Sequence, residues 1–188
     1  MARPEASDDD PSVLADAAFA LGYFGEDIES MIALVDRALR INPSFARGWY
    51  IRADLQVCAG QADAAIHDIE VSLRLSPHGQ VGARCFVVGC AHFISGRFDE
   101  AAPKLVAAIQ ELPRHRYSYR YLAACYAHMG RLNEARQVVE RLRTMTSQIV
   151  PSVTHLRSAV HRELFLSGLR PPAKLHEPDP PSRRHPRR

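Results

Sequence analysis

The chain has 188 residues, of which 46% are apolar and 7% aromatic, and its formal net charge is +3 at pH 7. This length is enough for one domain with a buried core, and so low an aromatic fraction is typical of helical arrays rich in Ala and Leu. The longest apolar run, residues 85–91, excludes a membrane span, because a spanning helix needs roughly 20 apolar residues. Five basic and two acidic residues in 171–188 account for the whole net charge, so the rest of the chain is neutral.

The first residues of the chain are polar and acidic. Residues 1–10 include three consecutive Asp and no apolar core, so we expect them to be disordered and to contain no secretory signal. Pro11 and Ser12 then open a first helix that reaches to about Gly25. An apolar stripe at helical spacing predicts a second helix from about Ile28 to Ile41.

A skeleton of Gly, a small residue and Pro recurs along the next hundred residues. Successive Pro stand 34 and 36 residues apart, at Pro43, Pro77 and Pro113. Repetition at that period predicts an array of helix–turn–helix hairpins. The skeleton is Gly60, Ala65 and Pro77, and it returns as Gly96, Ala101 and Pro113. It returns again as Gly130 and Ala135, with Ser147 in place of the Pro, and upstream as Gly25, Met31 and Pro43, with one extra residue in the turn.

Each position of the skeleton has a physical role. The Gly ends one helix in a left-handed conformation, and the Pro stops the second helix. The Ala lies where the two helices of a hairpin cross. We expect Asp63, Asp99 and Asn133, three residues after each Gly, to cap the following helix through their side-chain oxygens.

This pattern resembles the tetratricopeptide repeat (TPR), which implies an all-α solenoid of about four helical hairpins. Trp49 occupies the place where the TPR pattern has its large packing aromatic, whereas Arg52 and Gln56 depart from that pattern. The fourth repeat is closest to the pattern in its first helix, with Tyr119, Leu122 and Tyr126.

The repeat is lost after Met145. Residues 148–170 keep apolar residues at helical spacing, and we interpret them as a bent helix or two short ones that cap the exposed face of the last repeat. The Pro- and Arg-rich residues 171–188 are expected to be a disordered tail. The predicted division is therefore an N-terminus (1–10), a TPR array (11–147), a cap (148–170) and a tail (171–188).

Three stretches carry a narrower resemblance. ALVDRALRINPSFARGWYIRADL, LAACYAHMGRLNEARQVVERL and HRELFLSGLR look like the TPR region that follows the catalytic domain of bacterial class III adenylate/guanylate cyclases. Similar regions follow winged-helix domains in bacterial regulators. Neither a cyclase domain nor a winged helix is encoded here, so the resemblance implies a stand-alone relative or a detached regulatory fragment.

No pattern in the chain indicates enzyme chemistry. Cys85 and Cys90 are five residues apart on a helix, about 140° around its axis, so they face one metal ion poorly. No Gly-rich phosphate loop and no oxyanion loop beside a Cys is present. We expect no enzymatic activity, no cofactor and no metal, and we interpret the four Cys as buried thiols in a reducing cytoplasm.

The groove of the array is the predicted binding site. In TPR arrays the first helix of each hairpin lines a concave face that takes partner peptides, and the apolar and aromatic content here favours a hydrophobic or helical segment. The alternatives are that these side chains pack between repeats, or that the chain's own C-terminal helix fills the groove. The predicted groove residues are Phe19, Tyr23, Tyr50, Asp54, Val57, Phe86, Phe93, Ile94, Tyr117, Arg120 and His128.

The sequence therefore predicts a bacterial, cytoplasmic, non-enzymatic module that binds a protein or peptide partner. The alternative is the detached regulatory region of a nucleotide cyclase or winged-helix regulator. No membrane partner is expected, and a homodimer is left open. The basic tail, RRHPRR, has no aromatic residue to stack on bases, so nucleic acid is not the expected partner.

Overall fold

The computed structural model describes residues 10–170, so the predictions of a disordered N-terminus and tail lie outside the described residues. Within this range the chain forms nine α-helices and no strand, which confirms the all-α prediction. The helices are α1 (Pro11–Phe24), α2 (Ile28–Ile41), α3 (Ala46–Ala59), α4 (Ala62–Leu75), α5 (Val81–Ile94), α6 (Phe98–Glu111), α7 (Arg116–His128), α8 (Leu132–Arg143) and α9 (Ala159–Leu169).

The first eight helices pack as four consecutive hairpins. Within each hairpin the two helices contact each other, and each first helix also contacts the second helix of the hairpin before it. In addition, α1 contacts α3, α3 contacts α5, and α5 contacts α7. The four first helices thus form one continuous row, whose surface is called the inner face below.

The turns inside the hairpins follow the predicted chemistry in part. Gly60 and Gly130 follow the ends of α3 and α7 with φ of 89° and 74°, a left-handed conformation that favours glycine. The capping prediction is wrong, because Asp63, Asp99 and Asn133 lie inside the first turns of α4, α6 and α8. Helices α4, α6 and α8 begin earlier than expected, because each starts only two residues after the Gly of its turn.

Each connection between hairpins is held by the fourth residue of the helix that follows it. Trp49 Nε1 donates to the carbonyl of Pro43 at 2.8 Å, and Tyr119 Oη donates to the carbonyl of Pro113 at 2.9 Å. In α5 the corresponding residue is the buried Arg84, which donates to the carbonyls of Ser76 and Gly79. A buried Arg therefore takes the place of the packing aromatic in the third hairpin.

Small residues and one charged cluster hold the helices together. The three alanines of the repeat skeleton, Ala65, Ala101 and Ala135, are all buried. Arg52, which departs from the repeat pattern, donates to both oxygens of the buried Asp68 at 2.6 and 2.8 Å and to Asp36 at 2.6 Å. The guanidinium therefore links α2, α3 and α4 and compensates a buried carboxylate.

After α8 the structure differs from the predicted cap. Residues 144–158 have no regular secondary structure, and only α9 is helical, so the interpretation as a bent helix or two short helices is wrong. Pro151 and the β-branched Ile149, Val150 and Val153 around it give this stretch little helical tendency. Helix α9 packs on α7, the first helix of the last hairpin, and therefore lies on the inner face.

Candidate binding site on the inner face

Residues 148–169, called the C-terminal segment below, run back along the inner face. Arg120 of α7 donates from Nε to the carbonyl of Ile149 at 2.9 Å and from its terminal nitrogen to that of Gln148 at 2.6 Å. The ring of His128, at the end of α7, is 2.8 Å from the carbonyl of Leu164. These contacts fix both ends of the segment to the fourth hairpin.

The middle of the C-terminal segment reaches the first and second hairpins. The backbone N–H of Arg157 donates to the carbonyl of Cys58 in α3 at 2.9 Å. The guanidinium of Arg157 donates to the carbonyls of Gly22 and Glu26, at 2.7 and 2.8 Å, beside the end of α1. The segment therefore joins the two ends of the array rather than covering only the last repeat, which corrects the predicted position of the cap.

Apolar side chains make the C-terminal segment part of the core. Phe165 has no exposed surface, and its ring centroid lies 4.4 Å from that of Tyr121 and 6.1 Å from that of Phe93. At Gly168 a Cβ would come within 2.8 Å of Ala124 Cα, so the close approach of α9 to α7 requires a glycine. The segment is thus a fixed structural element of the inner face.

This arrangement closes part of the predicted groove. Phe93, Ile94 and Arg120 are buried, and the ring of His128 is engaged by the C-terminal segment. The expectation that these four face an open groove is therefore wrong, and the alternative that the chain's own C-terminal helix fills the groove holds along α7 and at Phe93 near the end of α5. The physical reason is the length of chain after Met145, whose apolar residues need a surface to cover them.

The remaining predicted residues line the part of the inner face that stays open. Six of them line a single cavity of about 230 Å³, called the aromatic cavity below. The seventh, Tyr50, lines a neighbouring cavity of about 490 Å³, and Phe19 lines both. The six predicted residues of the aromatic cavity are Phe19, Tyr23, Asp54, Val57, Phe86 and Tyr117.

Sequence reasoning missed several residues of the aromatic cavity. His155 and Leu156 come from the C-terminal segment, and His115 precedes α7. The His155 ring stacks on Tyr23 with centroids 5.4 Å apart and meets the edge of Tyr117 at 5.9 Å. The apolar spacing of residues 148–170 predicted helix, whereas residues 144–158 have no regular secondary structure, so the sequence did not place His155 correctly.

Asp54 is the one carboxylate in the wall of the aromatic cavity. Its side chain accepts a hydrogen bond from Tyr23 Oη at 2.9 Å, and the residue is only 5% exposed. Among residues 10–170 no Lys, Arg or His forms an ion pair with it. Burial raises the pKa of Asp54 to about 6, although the hydrogen bond from Tyr23 favours the charged form.

The two histidines of the aromatic cavity are neutral at pH 7. Burial lowers the pKa of His115 and of His155, and the nearby Arg157 lowers that of His155 further. The ring of His115 is 2.8 Å from Ser118 Oγ and meets Phe86 edge-on, with centroids 4.5 Å apart. Both imidazoles therefore act as uncharged aromatic walls.

The larger cavity continues the open surface along the first three hairpins. It lies among α1, α3, the start of α5 and the end of α6. Arg47 on its rim pairs with Asp16 at 2.5 Å, and Glu111 adds a negative charge. Because Phe19 belongs to both cavities, an extended chain lying in the larger one would pass the mouth of the aromatic cavity.

The cysteines do not form a metal centre in the part of the chain that the structure describes. No three His, Cys, Asp or Glu side chains of residues 10–170 are placed to hold an ion. The four cysteines are free, and Cys58, Cys90 and Cys125 are buried. Burial raises the pKa of Cys125 to about 12 and those of Cys58 and Cys90 above their ordinary value, so these thiols stay protonated at pH 7.

Comparison with known proteins agrees with this geometry. Residues 92–148 match the family model described as a tetratricopeptide repeat. No curated protein sequence matches the chain. The comparisons give no support to the resemblance to nucleotide cyclases.

Several solved structures share the fold at low sequence identity. MamA residues 41-end from Desulfovibrio magneticus RS-1 aligns with a TM-score of 0.62 and 15% identity, over 73% of this chain and 76% of that chain. YrrB, described as a TPR protein with an unusual peptide-binding site, aligns with a TM-score of 0.57 and 21% identity, over 75% of this chain and 71% of that chain. A tetratricopeptide repeat protein from Parabacteroides merdae aligns with a TM-score of 0.62 and 20% identity, over 86% of this chain and 61% of that chain.

These findings define the class of protein. The chain folds as an all-α TPR solenoid, as its repeats predict, and proteins with this fold bind protein or peptide partners. Within residues 10–170 every helix is too short or too polar to cross a bilayer.

Proposed function

We propose that this protein is a non-enzymatic interaction module that binds a segment of a partner protein on the open part of its inner face. The C-terminal segment covers most of α7, so the partner lies along the first three hairpins and anchors a side chain in the aromatic cavity, whose wall includes Tyr117 at the start of α7. The description of YrrB as a TPR protein with an unusual peptide-binding site supports a peptide as the ligand. The same face of a second copy of this chain is the alternative occupant.

The observation that carries the proposal is the cluster of accessible aromatic rings on this face. Its four rings all line the solvent-accessible aromatic cavity. Phe19, Phe86 and Tyr117 are partly exposed, and Tyr23 is exposed. Apolar side chains gathered on an open surface usually mark a contact site. Aromatic residues in a central pocket are also the commonest source of binding energy at protein interfaces.

The chemistry of the polar residues supports a binding role rather than catalysis. The buried thiols are protonated, so they are poor nucleophiles. Asp54 accepts a hydrogen bond from the hydroxyl of Tyr23, whose own pKa is raised well above the ordinary value. Free thiols also support a reducing compartment, such as the cytoplasm, as the place where the protein works.

Truncating an anchor ring in the aromatic cavity is expected to weaken partner binding strongly. Phe86→Ala and Tyr117→Ala should each lower affinity about 30-fold, which corresponds to about 2 kcal/mol, because each removes a half-buried ring from the centre of the interface. Phe24→Ala is the matched control, since Phe24 is 86% exposed and belongs to neither cavity. Affinity is measured by titration against the partner retained by the full-length protein.

Deleting residues 171–188 tests the competing role of the basic tail. We expect the deletion to change affinity less than either ring truncation at physiological salt, where exposed charges are strongly screened. Partner binding that survives both ring truncations but is lost with the tail would contradict the proposal.

A further inference from the structure

We infer that the aromatic cavity recognises a positively charged side chain, so that the partner segment inserts a lysine or arginine there. The inference concerns the chemistry of the ligand, and it rests on the proposed function only for the source of that side chain. It combines three independent properties of the cavity: its volume, its single unpaired carboxylate and its aromatic walls.

The volume suits one side chain. Pockets that bury drug-sized ligands occupy about 300–1,000 Å³. At about 230 Å³ the aromatic cavity is smaller than these, whereas the neighbouring cavity of about 490 Å³ leaves room for the chain that carries the side chain. Since Phe19 lines both, a residue held in the larger cavity can extend its side chain into the smaller one.

The carboxylate of Asp54 has no positively charged partner among residues 10–170. A buried carboxylate is costly unless it is paired with a positive group or hydrogen-bonded, and Asp54 has only the hydroxyl of Tyr23. The second hairpin, to which Asp54 belongs, also contains the buried Asp68, which receives two hydrogen bonds from the guanidinium of Arg52. Asp54 lacks such a partner among residues 10–170, and it lies where a ligand can supply one.

The walls of the cavity also favour a cation. The faces of aromatic rings attract positive charge, and they do so more strongly where water is excluded. Phe19 and Phe86 supply such rings, whereas Tyr117 already has the guanidinium of Arg120 over its ring at 4.9 Å and Tyr23 stacks on His155. The two histidines of the cavity are uncharged at pH 7, because burial lowers their pKa.

The guanidinium of Arg120 donates to the carbonyls of Gln148 and Ile149, and that of Arg157 donates to those of Gly22 and Glu26. The buried Arg157 Nε has no hydrogen-bond partner in the part of the chain that the structure describes. Neither guanidinium forms an ion pair with Asp54.

The test compares a charged probe with an uncharged one that carries an acetyl group on its terminal nitrogen, and the Asp54→Asn variant separates the effect of charge from that of size. Nα-acetyl-lysine N-methylamide and its Nε-acetylated form are titrated into the full-length protein, and binding is followed by the ¹H–¹⁵N chemical shifts of residues around the cavity. We expect the charged probe to bind at least about 10-fold more tightly at pH 7.5. The preference should disappear in Asp54→Asn, which keeps the size of the side chain and an oxygen to accept from Tyr23.

The control variant is Asp63→Asn, because it removes the same charge from a side chain that is 88% exposed and lies outside both cavities. It should keep the preference for the charged probe. Equal binding of the two probes, or a preference that survives in Asp54→Asn, would overturn the inference. Circular dichroism of each variant verifies that the fold is retained.

Two further arms separate the source of the cation from its chemistry. If deleting residues 171–188 tightens binding of the charged probe several-fold, the arginines of that stretch compete for the cavity. The cation inference then holds, and the cation is supplied by the chain itself. If no probe binds while Phe86→Ala and Tyr117→Ala still lose the partner, the cation inference is wrong and the proposed function stands. If charged probes bind but both truncations keep the partner, the proposed function fails and the cation site stands.

Discussion

Replacing Phe165 by Ala is expected to lower the free energy of unfolding by about 3–5 kcal/mol. The ring has no exposed surface, and it packs between Phe93 of α5 and Tyr121 of α7. Truncation to Ala leaves a cavity at the place where the C-terminal segment joins the array. Loss of this contact also loosens the segment that forms one wall of the aromatic cavity.

Val160→Ala is the matched control, because Val160 lies on the same helix with 74% of its surface exposed. It should change stability by less than about 0.5 kcal/mol. Both variants are compared with the wild type in urea unfolding followed by far-ultraviolet circular dichroism. Equal stability of the two variants would show that α9 does not pack into the inner face.

The effect of Asp54→Asn on the free energy of unfolding is expected to be more favourable at neutral pH than in acid. Burial raises the pKa of Asp54 from an ordinary value of 3.8 to about 6. Between these values the folded state keeps a proton that the unfolded state has released, so stability falls as the pH rises through this window. The folded protein is free of this penalty below the unfolded pKa and bears it fully above the folded one.

The measured quantity is the difference in free energy of unfolding between Asp54→Asn and the wild type. Two pKa units correspond to about 2.7 kcal/mol, so this difference should shift in favour of the variant by about 2–3 kcal/mol between about pH 3.5 and about pH 7.5. The lowered pKa values of His115 and His155 make stability rise with pH, which is opposite to the effect of Asp54. Because both proteins contain these histidines, their contribution cancels in the difference. A difference that stays constant with pH would mean that Asp54 is solvated or paired.

The repeats made the array predictable from the sequence. Gly60 and Gly130 end their helices as expected, and Ile28–Ile41 is helical with the predicted bounds. These features depend on local chemistry that recurs in each hairpin, so every repeat supports the interpretation of the others. The caps were mispredicted because Asp63, Asp99 and Asn133 each lie two residues after the true N-cap position, which is occupied by Gln61, Arg97 and Arg131.

The candidate site was only partly predictable. Repeat spacing identified Phe19, Tyr23, Phe86 and Tyr117 as residues of the inner face, and these four do line the aromatic cavity. Spacing could not show that residues 148–169 contact Phe93 and Arg120, because that contact joins parts of the chain with no common period. It also could not show that Asp54 is unpaired, since this depends on where every neighbouring cation points.

Position-specific photo-crosslinking tests the central claim most directly. A photoreactive phenylalanine derivative is placed at Phe86 or Tyr117 of the full-length protein, and, as the control, at Phe24, the exposed last residue of α1, which lines neither cavity. After irradiation with the bound partner, the account predicts covalent adducts from positions 86 and 117 and none from position 24. Adducts from position 24 alone would contradict it, because the partner would then bind outside the inner face.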